Sequence, residues 1–228
     1  MIRSVIFDID GTLIDHQTSQ ARALRRLYRH LEIKGARFNE FHDLWKRVGK
    51  KYFDEYADGK ISLSEQRILR IQEVLGGFGR EIGNNGALGL FEIYLSFYKD
   101  HWLLYPEVKG VLKELKDDFV LGVISNGDSR GQREKLEMTG ISGLFDAIVI
   151  SEDIGSAKPG HMIFDHALSM LGVSPGEALF VGDDMKADIG GAKRAGILDV
   201  FVDREGLGCK EATYVIGDLH GLMEIVKR

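Results

Sequence analysis

Val5-Ile6-Phe7-Asp8-Ile9-Asp10-Gly11-Thr12-Leu13 joins an apolar run to two carboxylates and a tight turn. Alternation along a β-strand places residues i and i+2 on the same side, so Asp8 and Asp10 converge just beyond this predicted strand. Neighbouring carboxylates repel, and a divalent cation or a shared proton relieves the repulsion. Such a pair suits phosphoryl transfer, in which one carboxylate attacks and the other moves a proton. The alternative is a strand end at which Asp10 caps a turn.

Three further polar groups follow predicted strands. They are Ser125-Asn126-Gly127 after strand 119–124, Lys158-Pro159 in the loop after strand 147–150, and Gly182-Asp183-Asp184 after strand 178–182, with Asp188 downstream. Ligands of open parallel sheets bind beyond the carboxyl ends of the strands. The sequence therefore predicts one site to which all four groups contribute.

Predicted strands and helices alternate from about residue 102 onward. The strands are 119–124, 147–150, 178–182, 198–202 and 214–216, and the helices are 107–116, 129–139, 161–171, 187–195 and 219–227. The first strand, 2–9, is apolar in the same way. Nearly continuous apolar strands that alternate with helices predict an α/β fold whose Rossmann-like parallel sheet is covered on both faces.

Residues 16–100 interrupt this alternation and are predicted to be helical, since apolar residues such as Leu24, Leu27 and Leu31 recur at helical spacing. The S-x-x-E pattern of Ser62 and Glu65 predicts a helix that begins near Ser62. The glycine-rich stretch 76–89 is predicted to be a mobile loop. We therefore expect two domains, an α/β core formed by 1–15 and 101–228 and a helical domain formed by 16–100.

The composition is that of a globular protein, with 44% hydrophobic and 29% charged residues among 228. A net charge of −5 gives no reason to expect a nucleic-acid polymer as partner. The single cysteine, Cys209, cannot form an internal disulfide, which favours a reducing compartment. No apolar stretch approaches the roughly 18 residues of a membrane span. We expect no membrane partner and a cytoplasmic location.

The four polar groups together resemble the four signature motifs of the haloacid dehalogenase (HAD) superfamily, and the resemblance covers essentially the whole chain. It implies that Asp8 is the nucleophile and forms an aspartyl-phosphate. It implies that Asp10 acts as general acid and then as general base, and that its backbone carbonyl also binds metal. The dehalogenases of the superfamily lack an acid at the position of Asp10, so this residue favours phosphate as the reacting group.

The remaining motifs complete the expected site. The Ser125 hydroxyl and the N–H groups of Asn126 and Gly127 are expected to bind phosphate oxygens. The resemblance implies that Lys158 offsets the charges of aspartate and phosphate. Mg²⁺ is expected on Asp8, Asp10 and Asp183. Asp188 is expected to orient Lys158 or a metal-bound water, and Asp184 to do either or to cap the following helix.

We expect a Mg²⁺-dependent phosphatase that hydrolyses a small phosphomonoester, either a nucleotide or a sugar phosphate. The stretch 56–62 suggests the nucleotidase-like branch. A phosphosugar mutase, and a non-catalytic phospho-receiver or binding module, are the alternatives; Asp10 argues against the receiver. Many relatives carry a helical cap at 16–100, where Tyr52, Phe53 and the Lys50–Lys51 pair are candidates for setting substrate preference. Trp45 is expected to pack in the core.

Overall fold

A computed structural model describes residues 1–33, 35, 37–206 and 208–227 of the chain. The chain forms two compact units. One, the α/β unit, consists of Met1–Asp15 and Leu103–Arg228, and the other, the helical unit, consists of His16–Trp102. No helix within the described ranges has the length and apolar character that crossing a bilayer requires.

The α/β unit is built on a parallel sheet to which the described residues contribute six strands in the order β3-β2-β1-β4-β5-β6. The strands are β1 Ser4–Phe7, β2 Val120–Ser125, β3 Ala147–Ile150, β4 Ala178–Gly182, β5 Leu198–Val202 and β6 Tyr214–Ile216. The predicted Rossmann-like parallel sheet is confirmed. β1 lies at its centre, where Phe7 is paired with Val123 of β2 and Val181 of β4.

β1 is shorter than the predicted strand 2–9. It begins at Ser4 and ends at Phe7, because the chain leaves the sheet into a turn in which Leu13 and Ile14 both donate to the carbonyl of Ile9. Asp8 remains attached to the neighbouring strand, since its N–H donates to the Val181 carbonyl at 2.9 Å. The shortening places Asp8 at the carboxyl edge of the sheet.

The described residues also form ten α-helices. The helical unit contains α1 His16–Leu31, α2 Phe38–Ala57, α3 Leu63–Gly76 and α4 Asn84–Lys99; the α/β unit contains α5 Val108–Lys116, α6 Ser129–Met138, α7 Ser151–Ile154, α8 His161–Leu171, α9 Gly190–Arg194 and α10 Leu222–Val226. The predicted helix 187–195 differs, since a π-helical turn, Met185–Ile189, precedes α9. The predicted helix 219–227 is likewise divided into a 3₁₀ turn, Leu219–Gly221, and α10.

Both faces of the sheet are buried, as its apolar strands predict. Val5 and Phe7 of β1 belong to one hydrophobic cluster, while Ile6 between them belongs to another with Phe164 and Phe180. The alternation of side chains along a strand explains this division. A strand buried on both faces has no solvated side, which is why its sequence shows a continuous apolar run rather than alternation.

The helical unit has its own hydrophobic core around Trp45, which is fully buried and lies 4.5 Å from the ring of Tyr94. The expected core packing of Trp45 is therefore confirmed. The predicted start of α3 is also confirmed: the Ser62 hydroxyl accepts from the Glu65 N–H, and the Glu65 carboxylate accepts from the Ser62 N–H. This reciprocal pair satisfies two donors that the helix start leaves free.

The prediction of a mobile loop over 76–89 is wrong for its second half. α4 begins at Asn84, so Gly86 and Gly89 lie within a helix, and only 77–83 connects α3 to α4. Glycine lowers helix propensity by about 1 kcal/mol relative to alanine, but burial of an amphipathic face outweighs such losses. Ala87 and Phe91 of α4 supply that buried face.

Phe164 of α8 offers a test of the packing beneath the sheet. Its ring lies 5.3 Å from that of Phe180, and a methyl group on Gly191 would come within 2.6 Å of it. Phe164→Ala should lower the free energy of unfolding by about 3–5 kcal/mol, because the cavity cannot collapse fully. Met170→Ala, at a 54% exposed position of the same helix, should change it by no more than about 0.5 kcal/mol. Urea unfolding measures both, and similar losses would contradict this packing.

Candidate active site

Three carboxylates converge at the carboxyl edge of the sheet: Asp8 after β1, Asp183 after β4, and Asp188 in the π-helical turn. Each offers an oxygen within 4.8 Å of the others. Asp8 is 7% exposed and Asp188 is 1% exposed. β1 and β4 are neighbours, which brings the first two acids together although they are distant in sequence. We call these three residues the acid cluster.

Lys158 supplies the positive charge beside the acid cluster. Its Nζ lies 2.5 Å from Oδ1 of Asp8 and 2.7 Å from Oδ1 of Asp188, and it donates to the Ile124 carbonyl at 3.1 Å. Only 3% of its side chain is exposed. Of the two expected functions of Asp188, the geometry shows the contact with Lys158.

Asn126 fixes the backbone of Lys158. Its Oδ1 accepts from the Lys158 N–H at 2.7 Å, and its Nδ2 donates to the Lys158 carbonyl at 2.9 Å. This paired contact joins the end of β2 to the loop that carries the lysine. The side chain of Asn126 thus positions Lys158, while the expected phosphate contact of its backbone N–H stays a prediction.

Two glycines allow the acids to lie directly against the backbone. A Cβ on Gly11 would lie 2.0 Å from Oδ2 of Asp183, and one on Gly182 would lie 2.3 Å from Oδ2 of Asp188. Gly11 also has a φ of +93°, a conformation that residues with a side chain rarely adopt. These contacts give a steric reason for the two glycines that flank the acidic motifs in the sequence.

The burial and crowding of the acids change their proton affinities. Burial raises the pKa of Asp8 above its ordinary value of 3.8, and the charges of Asp188 and Asp10 raise it further, while Lys158 opposes them. The pKa of Asp183 is raised for the same reason, first by burial and then by Asp8 and Asp188. Burial alone lowers the pKa of Lys158, but Asp188 and Asp8 outweigh it and raise that pKa above 10.5.

The carboxylate of Asp10 has a separate set of contacts. Lys135 Nζ lies 2.6 Å from its Oδ1 and 2.7 Å from its Oδ2, and Gln132 Nε2 donates to Oδ2 at 3.0 Å. Both partners come from α6. Neither Lys135 nor Gln132 was predicted from the sequence, although their i, i+3 spacing on the helix after Ser125 places them on one face.

The other predicted residues lie around this centre. Ser125 is 1% exposed, and its hydroxyl donates to the Asn126 carbonyl at 3.4 Å. The Gly127 N–H donates to the Ser151 hydroxyl at 3.0 Å, and its expected binding of phosphate stays a prediction. Asp184 caps the π-helical turn by accepting from the N–H groups of Lys186 and Ala187, one of the alternatives expected for it.

Arg204, which was likewise not predicted from the sequence, holds the turn after Asp10. Its guanidinium donates to the carbonyls of Gly11 and Thr12 at 3.2 and 2.7 Å and pairs with Glu107 at 2.9 Å. The Thr12 hydroxyl in turn donates to Oδ1 of Asp183 at 3.2 Å. The turn is thereby fixed from the loop after β5 and tied to the acid cluster.

The residues expected to set substrate preference have partners inside the helical unit. Tyr52 is 9% exposed, and its hydroxyl donates to Glu73 at 2.7 Å. Lys51 pairs with the same carboxylate at 2.7 Å, and Lys50 pairs with Asp54 at 3.0 Å. Phe53 is 38% exposed. A contribution of these residues to substrate preference stays a prediction.

Comparison with known proteins identifies the family. The family model of haloacid dehalogenase-like hydrolases matches residues 2–196 of this chain. N-acylneuraminate-9-phosphatase of Mus musculus is 32% identical over 216 residues, 90% of this chain and 84% of that protein. Glyceraldehyde 3-phosphate phosphatase of Methanopyrus kandleri is 32% identical over 221 residues, 90% and 85% of the two chains. The structure of the HAD-hydrolase YfnB from Bacillus subtilis bound to magnesium has a TM-score of 0.89 at 26% identity, covering 100% and 99%.

The chain belongs to the haloacid dehalogenase-like hydrolase family. Within that family it is a phosphoric monoester hydrolase, the class to which the two named phosphatases belong.

The crowding of acids predicts that the metal-free protein loses stability as the pH rises. Folding raises the pKa of Asp8 and of Asp183, so above about pH 4 the folded state binds more protons than the unfolded state, and the free energy of unfolding falls with pH. Glu177, whose pKa is lowered from 4.5 to about 2, raises stability with pH only until its unfolded side chain is ionised, at about pH 5, and does not oppose the fall at higher pH.

Urea unfolding in excess chelator at about pH 5 and about pH 8 measures the effect. Asp183→Asn should flatten the dependence, because it removes one of the crowded charges. Asp118→Asn, at an exposed position of the same unit, should leave it unchanged. A stability of the wild-type protein that is constant or rises between these pH values would contradict the prediction.

Proposed function

We propose that this protein is a Mg²⁺-dependent phosphatase that hydrolyses a small phosphomonoester through an aspartyl-phosphate on Asp8. The observation that carries the proposal is the position of Asp8. Its carboxylate lies at the carboxyl edge of the sheet, bonded at Oδ1 to the buried Lys158 and grouped with two further acids. In a family of hydrolases, such a carboxylate beside a fixed cation is suited to attack an anionic ester.

The acid cluster fits a magnesium ion. Mg²⁺ prefers carboxylate and carbonyl oxygens, and the cluster offers three carboxylates with oxygens within 4.8 Å of one another. With all groups ionised, three carboxylates and the Lys158 ammonium leave a formal charge of −2, which a divalent cation balances. Asp8, Asp183 and the backbone carbonyl of Asp10 would hold the ion. When bound, Mg²⁺ neutralises phosphate charge and orients the ester for attack.

In the first half-reaction, a carboxylate oxygen of Asp8 attacks phosphorus, and the bond between phosphorus and the ester oxygen breaks. The ester oxygen leaves as an alcohol after it takes a proton from Asp10. Lys158 and the Ser125 hydroxyl, with the Asn126 N–H, would hold the phosphoryl oxygens during the transfer. Lys158 is preorganised for this role because Asp188 and Asn126 already fix its ammonium group and backbone.

In the second half-reaction, water attacks the phosphorus of the aspartyl-phosphate. Asp10, now a carboxylate, takes a proton from that water, and the bond from phosphorus to the Asp8 oxygen breaks. Inorganic phosphate leaves, and both aspartates return to their starting protonation states. The same carboxyl group therefore serves as acid and as base in successive steps.

The substrate is a small phosphorylated metabolite, either a sugar phosphate or a nucleotide. This part of the proposal is supported by the relatives, whose names specify phosphatases of N-acylneuraminate 9-phosphate and of glyceraldehyde 3-phosphate. Release of inorganic phosphate from a panel of sugar phosphates and nucleotides tests it. Steady turnover under excess substrate also distinguishes a phosphatase from a receiver that is phosphorylated only once.

Metal dependence is expected because the acid cluster alone repels a phosphate dianion. Activity should vanish in excess chelator and return with Mg²⁺. Gly11→Ala should weaken Mg²⁺ binding by at least about tenfold, because its new methyl group displaces Asp183. Isothermal titration measures the affinity.

Gly59→Ala is the matched control for Gly11→Ala. Gly59 also has a positive φ, +71°, but a Cβ there meets no atom within 4 Å, so it shares the backbone strain without touching an acid. Equal Mg²⁺ affinity in the two variants, or full hydrolysis in excess chelator, would contradict the proposed metal site.

The two aspartates should be separable by mutation. Asp8→Asn should abolish turnover and leave no phosphorylated protein, because the nucleophile is gone. Asp10→Asn should slow turnover by about 10²–10⁴-fold, the range typical of general acid–base catalysis. With p-nitrophenyl phosphate, whose leaving group needs little protonation, the second step should suffer more and the phospho-enzyme should accumulate. Acid quenching followed by mass spectrometry detects it; equal residual activity without a trapped intermediate would refute these roles.

A further inference from the structure

The carboxylate of Asp10 is held by two side chains from one turn of α6. Lys135 contacts both of its oxygens, at 2.6 and 2.7 Å, while Gln132 donates to Oδ2 at 3.0 Å. Contacts at both oxygens restrict rotation of the carboxylate plane as well as its position. Neither side chain belongs to the motifs from which the proposed reaction was built.

Burial makes these contacts expensive to break. Lys135 is 4% exposed and Gln132 is 6% exposed. A lysine is almost never buried this far unless it is paired, because removal of the ammonium group from water must be offset by a bonded anion. Withdrawal of Asp10 from Lys135 would remove the carboxylate that contacts the ammonium group at 2.6 and 2.7 Å. The ion pair therefore restrains Asp10 strongly.

Two hydrogen-bond acceptors fix the orientation of the Gln132 amide. Nε2 donates both to Asp10 Oδ2 and to the Asn126 carbonyl at 3.2 Å. Rotating the amide by half a turn would direct its oxygen at two acceptors, which is repulsive. Through this bridge the position of Asp10 is tied to Asn126, whose side chain holds the backbone of Lys158.

Two cations thus serve the two aspartates of the first motif separately. Lys158 contacts Asp8 in the acid cluster, whereas Lys135 contacts Asp10 outside it. We infer that Lys135 and Gln132 are positioning residues that hold the Asp10 carboxyl group for proton transfer to the leaving oxygen and from the attacking water. This inference rests on the proposed phosphatase function.

The effect of Lys135→Met should depend on the leaving group. Methionine preserves the length of the side chain and removes the ammonium group. The value of kcat/KM reports the first half-reaction, in which a sugar leaving group needs a proton and p-nitrophenolate hardly does. Lys135→Met should therefore lower kcat/KM for ribose 5-phosphate by about 10²-fold and for p-nitrophenyl phosphate by less than about tenfold.

The double variant Asp10→Asn/Lys135→Met provides the readout that a merely structural role would not give. If Lys135 acts through Asp10, adding Lys135→Met to Asp10→Asn should not lower kcat/KM for ribose 5-phosphate any further. Mg²⁺ affinity by titration should stay within about threefold of wild type, because the Asp10 carboxylate lies outside the acid cluster. Arg130→Met, which removes an exposed positive charge from the same helix, is the matched control and should change neither ester.

Thermal unfolding shows whether Lys135→Met is folded. If it is not, Lys135→Arg and Gln132→Met test the same inference. Lys135→Arg retains a cation and should recover part of the activity on ribose 5-phosphate. Gln132→Met should lose more activity on ribose 5-phosphate than on p-nitrophenyl phosphate. Equal losses on both esters, or independent losses that multiply in the double variant, would overturn the inference. If Asp10→Asn itself affects both esters equally, the proposed role of Asp10 fails first and the inference fails with it.

Discussion

One buried ammonium group, that of Lys158, makes it possible to gather three carboxylates at the edge of the sheet. Charges of one sign at such distances repel strongly where water is excluded, and the lysine relieves this only in part. The rest of the site supports the arrangement: Asn126 holds the backbone of the lysine, Gly11 and Gly182 leave room for the acids, and Arg204 fixes the turn between them. The residual negative charge is what the proposed divalent cation would balance.

The same edge keeps the surroundings of Asp8 and Asp10 distinct. Asp8 and Asp10 leave the strand together, yet one meets a lysine from the loop after β3 and the other a lysine from α6. Identical side chains acquire different chemistry through different surroundings, as is usual for pairs of catalytic acids. Arg204, paired with Glu107, anchors the turn that directly follows Asp10, so this contact restrains the backbone beside that residue.

The strands could be predicted from the sequence because burial on both faces of the sheet produces a continuous apolar run. β3 to β6 have the predicted bounds, and Asp8 and Asp183 directly follow β1 and β4. The start of α4 was not readable, since its glycines oppose a helix that only packing of the helical unit supports. Gln132, Lys135 and Arg204 could not be found either, because their partners in the first motif lie between 122 and 193 residues away. Local pattern carries no information about such pairings.

The central position of β1 has a consequence for biosynthesis. Ser4 pairs with Val120 on one side and with Ala178 on the other, so β1 is synthesised well before the two strands that flank it. Translation at about 5–20 residues per second separates these events by many seconds. During that interval Ser4–Phe7 lacks both neighbouring strands and remains an exposed apolar segment. Nascent-chain chaperones that recognise short hydrophobic stretches should therefore engage the segment Ser4–Phe7.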